Sequence, residues 1–375
     1  MNNSHTTPPH RWRLDGNYLM GITSDRWWSL LRQNHWQVAR PYWYRTGAIT
    51  LTSGLSTCLS WLESRLYAHQ VEAAELTADP IFILGHWRSG TTLLHELLAL
   101  DTEQFAYPNT FEAMSPQTFL LTENLCARWF ARLIPNQRPM DNMRLGWQSP
   151  QEDEFAIALE SLQSYYLALA FPHAEIDYER YLTLQDLSKN ERQQWQAALL
   201  RFLKKLTFKY RRQLVLKSPP HTARIRYLLA LFPRAKFIHI HRHPYEVFQS
   251  MGHYFKTAGW LTYLQRPHWP ELDQAILRRY NTLYDAYFEQ RSLIPTGQFH
   301  EIAFSDLEHN PVSQMQSLYQ ALKLPYSQAL DIKLHRYLHA RQGYRKNTFS
   351  ALDDTTKQHI YRQWQRSFDE WGYES

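Results

Sequence analysis

Gly85-His86-Trp87-Arg88-Ser89-Gly90-Thr91-Thr92 sets two glycines, one guanidinium and three hydroxyls within eight residues. Such a set suits an oxyanion. Glycines let the backbone approach closely and take positive φ. The arginine offers a permanent charge and a planar donor fork. Thr91 and Thr92 can add hydroxyl hydrogen bonds. The spacing is close to the nucleotide P-loop G-x-x-x-x-G-K-[ST], but Thr91 stands where that loop has lysine. Metal-dependent phosphoryl transfer also wants a carboxylate at the end of a neighbouring strand. The apolar run over 237–241 ends instead in Arg242. The loop is therefore expected to hold phosphate with cations and backbone amides, without a metal.

The flanking residues explain how such a loop is positioned. Residues 80–85, PIFILG, read as a strand buried on both faces. Residues 91–100 read as an apolar-striped helix, so backbone N–H groups and the helix dipole converge on the turn. Further strands are expected at 213–218, 235–242 and 301–307, each followed by a helix, at 222–232, 244–255 and 311–324. Strands alternating with helices predict an α/β fold with a P-loop-like parallel sheet. Residues 110–210 read as a helical insertion. We expect residues 1–78 to be a tail and amphipathic helices, and 79–375 to be the main domain. In the first part, 27–36 and 55–76 have helical apolar spacing, the latter with Leu55, Cys58, Leu59, Leu62 and Leu66 on one stripe. Packing on the main domain is the first reading of these helices. The second is peripheral membrane contact, suggested by Trp27, Trp28, Trp36, Tyr42, Trp43 and Tyr44 beside four arginines.

Composition sets the limits. A chain of 375 residues with 44% hydrophobic and 20% charged residues is globular. The net charge of +6 fits anionic ligands or a membrane face. No nucleic-acid partner is expected, since zinc-ligand spacing, RNA-binding aromatic motifs and long basic runs are missing. Two cysteines exclude a disulfide framework and favour a reduced, cytoplasmic setting. The N-terminus has no apolar signal core, and no window is long enough to span a membrane. With 14 Trp, 23 Tyr and 18 Phe, the chain calls for a large aromatic core, an apolar acceptor pocket or a membrane-facing surface.

Four segments together resemble a known family. They are the loop at 85–92, LVLKSPPH at 214–221, FPRAKFIHIHRHPYEVFQS at 232–250 and FSDLEHNP at 304–311. In order and spacing they are similar to sulfotransferases that use 3′-phosphoadenosine 5′-phosphosulfate (PAPS), of the Arg-Ser-Gly-Thr-Thr loop type found in bacterial and tyrosylprotein members. The resemblance implies PAPS as donor, its desulfo form PAP as product, and no metal. It implies that Arg88, Ser89, Gly90, Thr91 and Thr92 hold the 5′-phosphosulfate and that Lys217 stands near the transferring group. Arg242 and Ser250 would hold the 3′-phosphate. Ser250 lies about two helical turns beyond Arg242, so strand end and helix flank can converge on one phosphate. A closing C-terminal segment would correspond to Arg341 and Gly343, or to Arg345 and Lys346.

The general base is open. Glu112 lies near the position that tyrosylprotein-type members use. His221 follows Pro219, which replaces the histidine of cytosolic members. Glu152, Asp153 and Glu154 open a helix and form a third choice. Leu93 replaces the tryptophan that several members carry after Thr-Thr, leaving Trp87 or Phe248 to stack on adenine. The apolar insertion and N-terminal helices suggest a small aromatic or lipid-like hydroxyl acceptor. A P-loop kinase or nucleotidase, and a non-catalytic PAPS-binding scaffold, are the competing readings.

Overall fold

The computed structural model describes residues 13–14, 16–130, 146–341, 343 and 347–375. Five strands, β1 (Ile81–Leu84), β2 (Phe105–Ala106), β3 (Gln213–Lys217), β4 (Lys236–His241) and β5 (Phe299–Ala303), form one parallel sheet. The strand order is β2-β3-β1-β4-β5. The chain builds one side of β1 with β2 and β3, then crosses to build the other with β4 and β5. Such a switch point leaves a crevice beyond the carboxyl ends of the central strands. Register sets Lys217 beside Ile83 and His239 beside Leu84.

The strands are apolar runs because both faces are covered. Phe82, Leu84, Leu214, Leu216 and Phe237 enter one core. Ile81, Ile83, Val215, Ile238, Ile240 and Ile302 enter another. Each expected strand is present, with two differences. The run expected to continue to 307 stops at Ala303, and Phe304–His309 is helical. The two-residue β2 was not anticipated, because two residues carry no period.

Fifteen α-helices occur among the described residues. Before the sheet come α1 (Ser24–Gln33) and α2 (Trp43–Glu72); α3 (Thr91–Ala99) follows the glycine loop. The insertion holds α4 (Thr110–Met114), α5 (Phe119–Phe130), α6 (Glu154–Ser161), α7 (Glu175–Thr183) and α8 (Lys189–Tyr210). Then come α9 (Ile225–Leu231), α10 (Pro244–Thr257), α11 (Leu272–Gln290), α12 (Phe304–His309), α13 (Pro311–Ala321), α14 (Gln328–Ala340) and α15 (Asp354–Trp371). The helix expected over 222–232 is divided, with a 3-10 turn at Pro219–Ala223 before α9. A third core joins the N-terminal segment to the insertion and to the turn after α10 through Tyr18, Trp27, Leu30, Ile49, Leu167 and Trp260. The stripe expected to pack the second N-terminal helix behaves otherwise: Leu55, Leu62 and Leu66 on α2 face solvent. Among the described residues no helix is long and apolar enough to cross a membrane.

Candidate active site

β1 delivers the chain into the glycine loop, and α3 carries it away. Gly85 has φ +145, and a Cβ there would meet the Ile240 carbonyl oxygen at 2.5 Å. Gly90 has φ +99, and a Cβ there would meet the Phe304 ring at 2.2 Å. Both positions therefore require glycine. The Gly85 N–H donates to Thr222 Oγ1 at 2.7 Å, and the His86 N–H to the Tyr284 hydroxyl at 3.2 Å. Ser89 is buried and donates to the His86 carbonyl at 2.7 Å, so its hydroxyl braces the loop. Arg88 sits in the left-handed region, φ 71, a conformation that costs a non-glycine residue energy.

That conformation brings Arg88 to the start of a basic wall. Arg88 Nε donates to Ser250 Oγ at 2.9 Å, and Arg242 Nη1 donates to the Arg88 carbonyl at 3.2 Å. Arg242 also pairs with Glu246 at 2.5 Å and lies over the Phe304 ring. Arg242 directly follows β4 and Ser250 lies in α10, and each contacts Arg88. Arg88, Thr91, Thr92, Arg242, Ser250 and Arg341 line one cavity. Arg341 pairs there with Glu96 at 2.9 Å. Gly343 is exposed and does not line it. Arg345 and Lys346 lie outside the described residues. The expected adenine platforms are elsewhere. Phe248 is in the core against Trp364, and Trp87 lies on the far side of Arg88 against Tyr165 and Tyr166. Two aromatic rings line this cavity: Phe304, which lies under Arg242, and Phe349, which no pattern in the sequence pointed to.

A second cavity opens on the other side of Arg88, Thr91 and Thr92. Its walls are mostly apolar and aromatic, from Trp87, Met114, Phe155, Tyr165, Phe255 and Leu261, with Gln151, Thr262 and Arg279 among them. Glu152 faces it. Here the acidic run takes on a form that the sequence left open. Three consecutive carboxylates dock onto three basic groups carried by β3 and the turn after it. Glu152 Oε1 accepts from Lys217 Nζ at 2.5 Å. Asp153 Oδ2 meets His221 Nε2 at 2.6 Å, and its Oδ1 accepts from Ser218 Oγ at 2.9 Å. Glu154 binds Arg224 through both oxygens, at 2.6 and 3.0 Å. Ser218 Oγ also accepts from the Glu154 N–H at 2.9 Å. Asp153, Glu154, His221 and Arg224 are fully buried. Buried charges of this kind hold only when paired and hydrogen-bonded, and removing one partner is costly. Burial works against ionisation of Asp153, but the His221 charge and the hydrogen bonds outweigh it and hold its carboxyl below the ordinary range.

Glu152 has a second partner, the Tyr166 hydroxyl. Burial first, and the Glu152 charge next, push the Tyr166 pKa well above its ordinary value. The tyrosine therefore stays protonated and donates to the carboxylate. The arrangement is a carboxylate on a cavity wall, held from behind by an ammonium and from the side by a phenol. It can accept a proton from a hydroxyl placed in the apolar cavity.

Glu112 and His221 are not brought to either cavity. Glu112 is the third residue of α4 and closes a capping box with Asn109. Its Oε1 also meets Lys209 at 2.6 Å and the Tyr210 hydroxyl at 2.7 Å. Burial raises its pKa. The carboxyl is committed to joining α4 to α8. His221 is fully buried under the Phe82 ring and is spent on Asp153. Among the described residues no group of three or more His, Cys, Asp or Glu side chains could hold a metal ion.

A parallel sheet with an anion loop at its switch point, a basic wall on one side and an apolar cavity on the other defines a class. The model of the Sulfotransferase family matches residues 80–328, and the chain belongs to that family. Two curated relatives, from Mycobacterium bovis and Mycobacterium tuberculosis, are each named omega-hydroxy-beta-dihydromenaquinone-9 sulfotransferase Stf3. Each is 36% identical over 359 residues, which is 95% of this chain and 91% of the relative. Among solved structures, the sulfotransferase STF9 from Mycobacterium avium superposes with a TM-score of 0.64 at 16% identity, covering 93% of this chain and 97% of that one. STF1 from Mycobacterium tuberculosis gives 0.61 at 16%, covering 91% of each. These two share the fold. The chain is a sulfotransferase.

Proposed function

We propose that this sulfotransferase moves the sulfuryl group of PAPS to a hydroxyl of a lipid-like acceptor, with Glu152 as general base. The observation that carries the proposal is the Glu152–Lys217 pair beside the loop, where basic wall and apolar cavity meet at Arg88. The loop amides and Arg88 would hold the 5′-phosphosulfate, Arg242 and Ser250 the 3′-phosphate, and Phe349 would offer a stacking face for adenine. Arg341 would border the same cavity. Glu152 would take the hydroxyl proton as the acceptor oxygen bonds to sulfur. The sulfur–oxygen bond to the 5′-phosphate breaks and leaves its electron pair on that phosphate. Lys217 and Arg88 would stabilise the charge that grows there.

The apolar lining supports a lipid-like acceptor, as does the acceptor in the name of the Stf3 relatives, omega-hydroxy-beta-dihydromenaquinone-9. A cytoplasmic setting belongs to the same reading. The test is calorimetric binding of PAP followed by turnover of labelled PAPS with long-chain prenyl-quinol alcohols. PAP binding and a labelled sulfate ester are the expected results. A protein that does not bind PAP would end the donor assignment. PAP binding with transfer only to polar sugars would end the acceptor assignment.

A further inference from the structure

We infer that the outward face of α2, with the tryptophans at its ends, is a docking surface for an anionic lipid bilayer and holds the mouth of the acceptor cavity against it. The purpose of this surface rests on the lipid-like acceptor proposed above. The surface itself stands on separate observations.

Leu51, Leu55, Leu62 and Leu66 are 79, 61, 40 and 49% exposed, and Cys58 is exposed between them. At about 100° per residue these five positions fall within an arc of about 80°. They form one stripe along the helix. A stripe with this spacing ordinarily packs into a core. Here the core side of α2 is a different face, through Arg45, Ile49 and Ser53. The residues from Thr46 to Leu62 include no charged side chain. Exposed tryptophans bracket that stretch: Trp43 at 61% and Trp61 at 63%, about 27 Å apart along the axis. Trp28 and Trp36 are also exposed, with rings 5.9 Å apart, and Trp43 Nε1 donates to the Val38 carbonyl beside them. Indoles of this kind settle where hydrocarbon meets headgroups.

Charge selects the occupant. From Arg26 to Val71 the sole acidic residue is Glu63, which is buried against Lys205. Arg32, Arg40 and Arg65 are exposed around the stripe, and the Arg65 guanidinium lies 5.3 Å over the Trp61 ring. Glu72, which ends α2, is exposed but lies beyond the stripe and pairs with Lys204 at 2.9 Å. Exposed leucines, terminal tryptophans and arginines, with no exposed acid along the stripe from Leu51 to Leu66, describe a helix lying in the plane of an anionic bilayer. The helix is not apolar enough to cross it. The helix is also tied to the cavity. Arg45, in the first turn of α2, is buried and donates to the carbonyls of Trp260 and Tyr263 at 2.8 and 3.0 Å. Leu261 and Thr262, between those two, line the acceptor cavity. A bilayer on α2 would therefore lie next to the entrance an apolar alcohol must use.

The experiment is flotation of the full chain with vesicles of phosphatidylcholine alone or mixed with phosphatidylglycerol. The chain should float with the mixed vesicles, weakly with phosphatidylcholine, and less in high salt. Leu55→Ser with Leu62→Ser, both already exposed, should lower partitioning by about tenfold or more while leaving turnover of a water-soluble alcohol unchanged. Arg40→Glu with Arg65→Glu should remove the preference for the anionic vesicles. Failure of the full chain to float, or flotation of the leucine variant at the level of the original, overturns the proposal. Equal binding to both vesicle types overturns the anionic assignment. A dimer in sedimentation that the leucine changes dissolve, without vesicle binding, would give the surface to a second copy. Flotation involves no turnover, so failure to sulfate any lipid-like alcohol would refute the acceptor reading and leave this answer standing.

Discussion

The two sides of Arg88 are built by different rules. The basic wall comes from short stretches of chain, 88–92 and 242–250, set at the ends of adjacent strands. Its geometry follows from strand, glycine turn and helix, so local sequence nearly dictates it. The opposite side gathers residues from across the molecule. Trp87 comes from the loop, Glu152 from the middle of the insertion, Tyr166 from one 3-10 turn and Leu261 from another, which follows α10. Local spacing dictates none of this. Long-range pairing does, above all the docking of 152–154 onto 217–224. A site for phosphate can be a property of a motif, whereas a site for an acceptor and its base is a property of the fold.

The sharpest way to break this contrast is to exchange the roles of two carboxylates. Glu152→Gln should lower kcat roughly 10²–10⁴-fold, the usual worth of a positioned base, while PAP binding in calorimetry stays within a few-fold. Glu112→Gln should keep kcat within a few-fold and instead cost about 1–3 kcal/mol of stability, because it disturbs the buried contacts with Lys209 and Tyr210. If Glu152→Gln stops turnover and Glu112→Gln does not, the base lies on the wall of the apolar cavity. If Glu112→Gln stops turnover and Glu152→Gln does not, the two regions have been assigned the wrong way round.

Next in size is the basic wall. Arg242→Ala should weaken PAP binding about 10- to 100-fold, as expected for loss of charge-assisted hydrogen bonds to a phosphate. At saturating donor, kcat should change far less. A titration in which Arg242→Ala binds PAP normally would remove that arginine from the nucleotide.

How much of this could be read beforehand follows from the same contrast. The strands, the helices after β1 and β4, and the placing of Arg242 and Ser250 on one cavity follow from short stretches of sequence, and these were legible. Glu152 was visible only as one of three acids at a helix start, where the dipole alone would account for acidic residues. Nothing local separates Glu152, which faces the cavity, from Asp153 and Glu154, which do not. Their partners lie some 65 to 70 residues away. Glu112 was attractive by its distance from the loop arginine, but Asn109 three residues earlier turns it into a capping residue. The α2 stripe misled in the opposite sense, since periodicity reports that a face is apolar and not what covers it.

A smaller effect tests the acid row as a device for placing Glu152. Asp153→Asn should keep the side chain's shape and lose the charge that meets His221. The expected outcome is a fall in kcat of about tenfold with donor Kd unchanged, and a stability loss of about 1–3 kcal/mol. A purely structural role would lower stability alone. His221 would then be left buried beside a neutral amide, and kcat measured well below the melting temperature would match the original.

The smallest expected effect lies at the other end of the same helix. The carboxylates at and just before the start of α6 are fully partnered, but Glu160 near its end is not. It is 2% exposed; Oε2 faces Arg201 at 3.3 Å and Oε1 has no hydrogen-bond partner. Burial raises its pKa from 4.5 to about 7. Below 4.5 folded and unfolded chains both carry the proton. Between 4.5 and about 7 the folded chain keeps it while the unfolded chain releases it. Stability from this residue is therefore lost as pH rises through that window, and the loss is complete above it. Glu160→Gln retains the shape without the ionisation. The melting temperature of the original chain should fall relative to the variant by a few degrees between pH 5 and pH 8. The two should differ least at the acid end. Parallel melting curves across that range would mean that Glu160 is as well satisfied as Glu154, and that this end of α6 is built like the other.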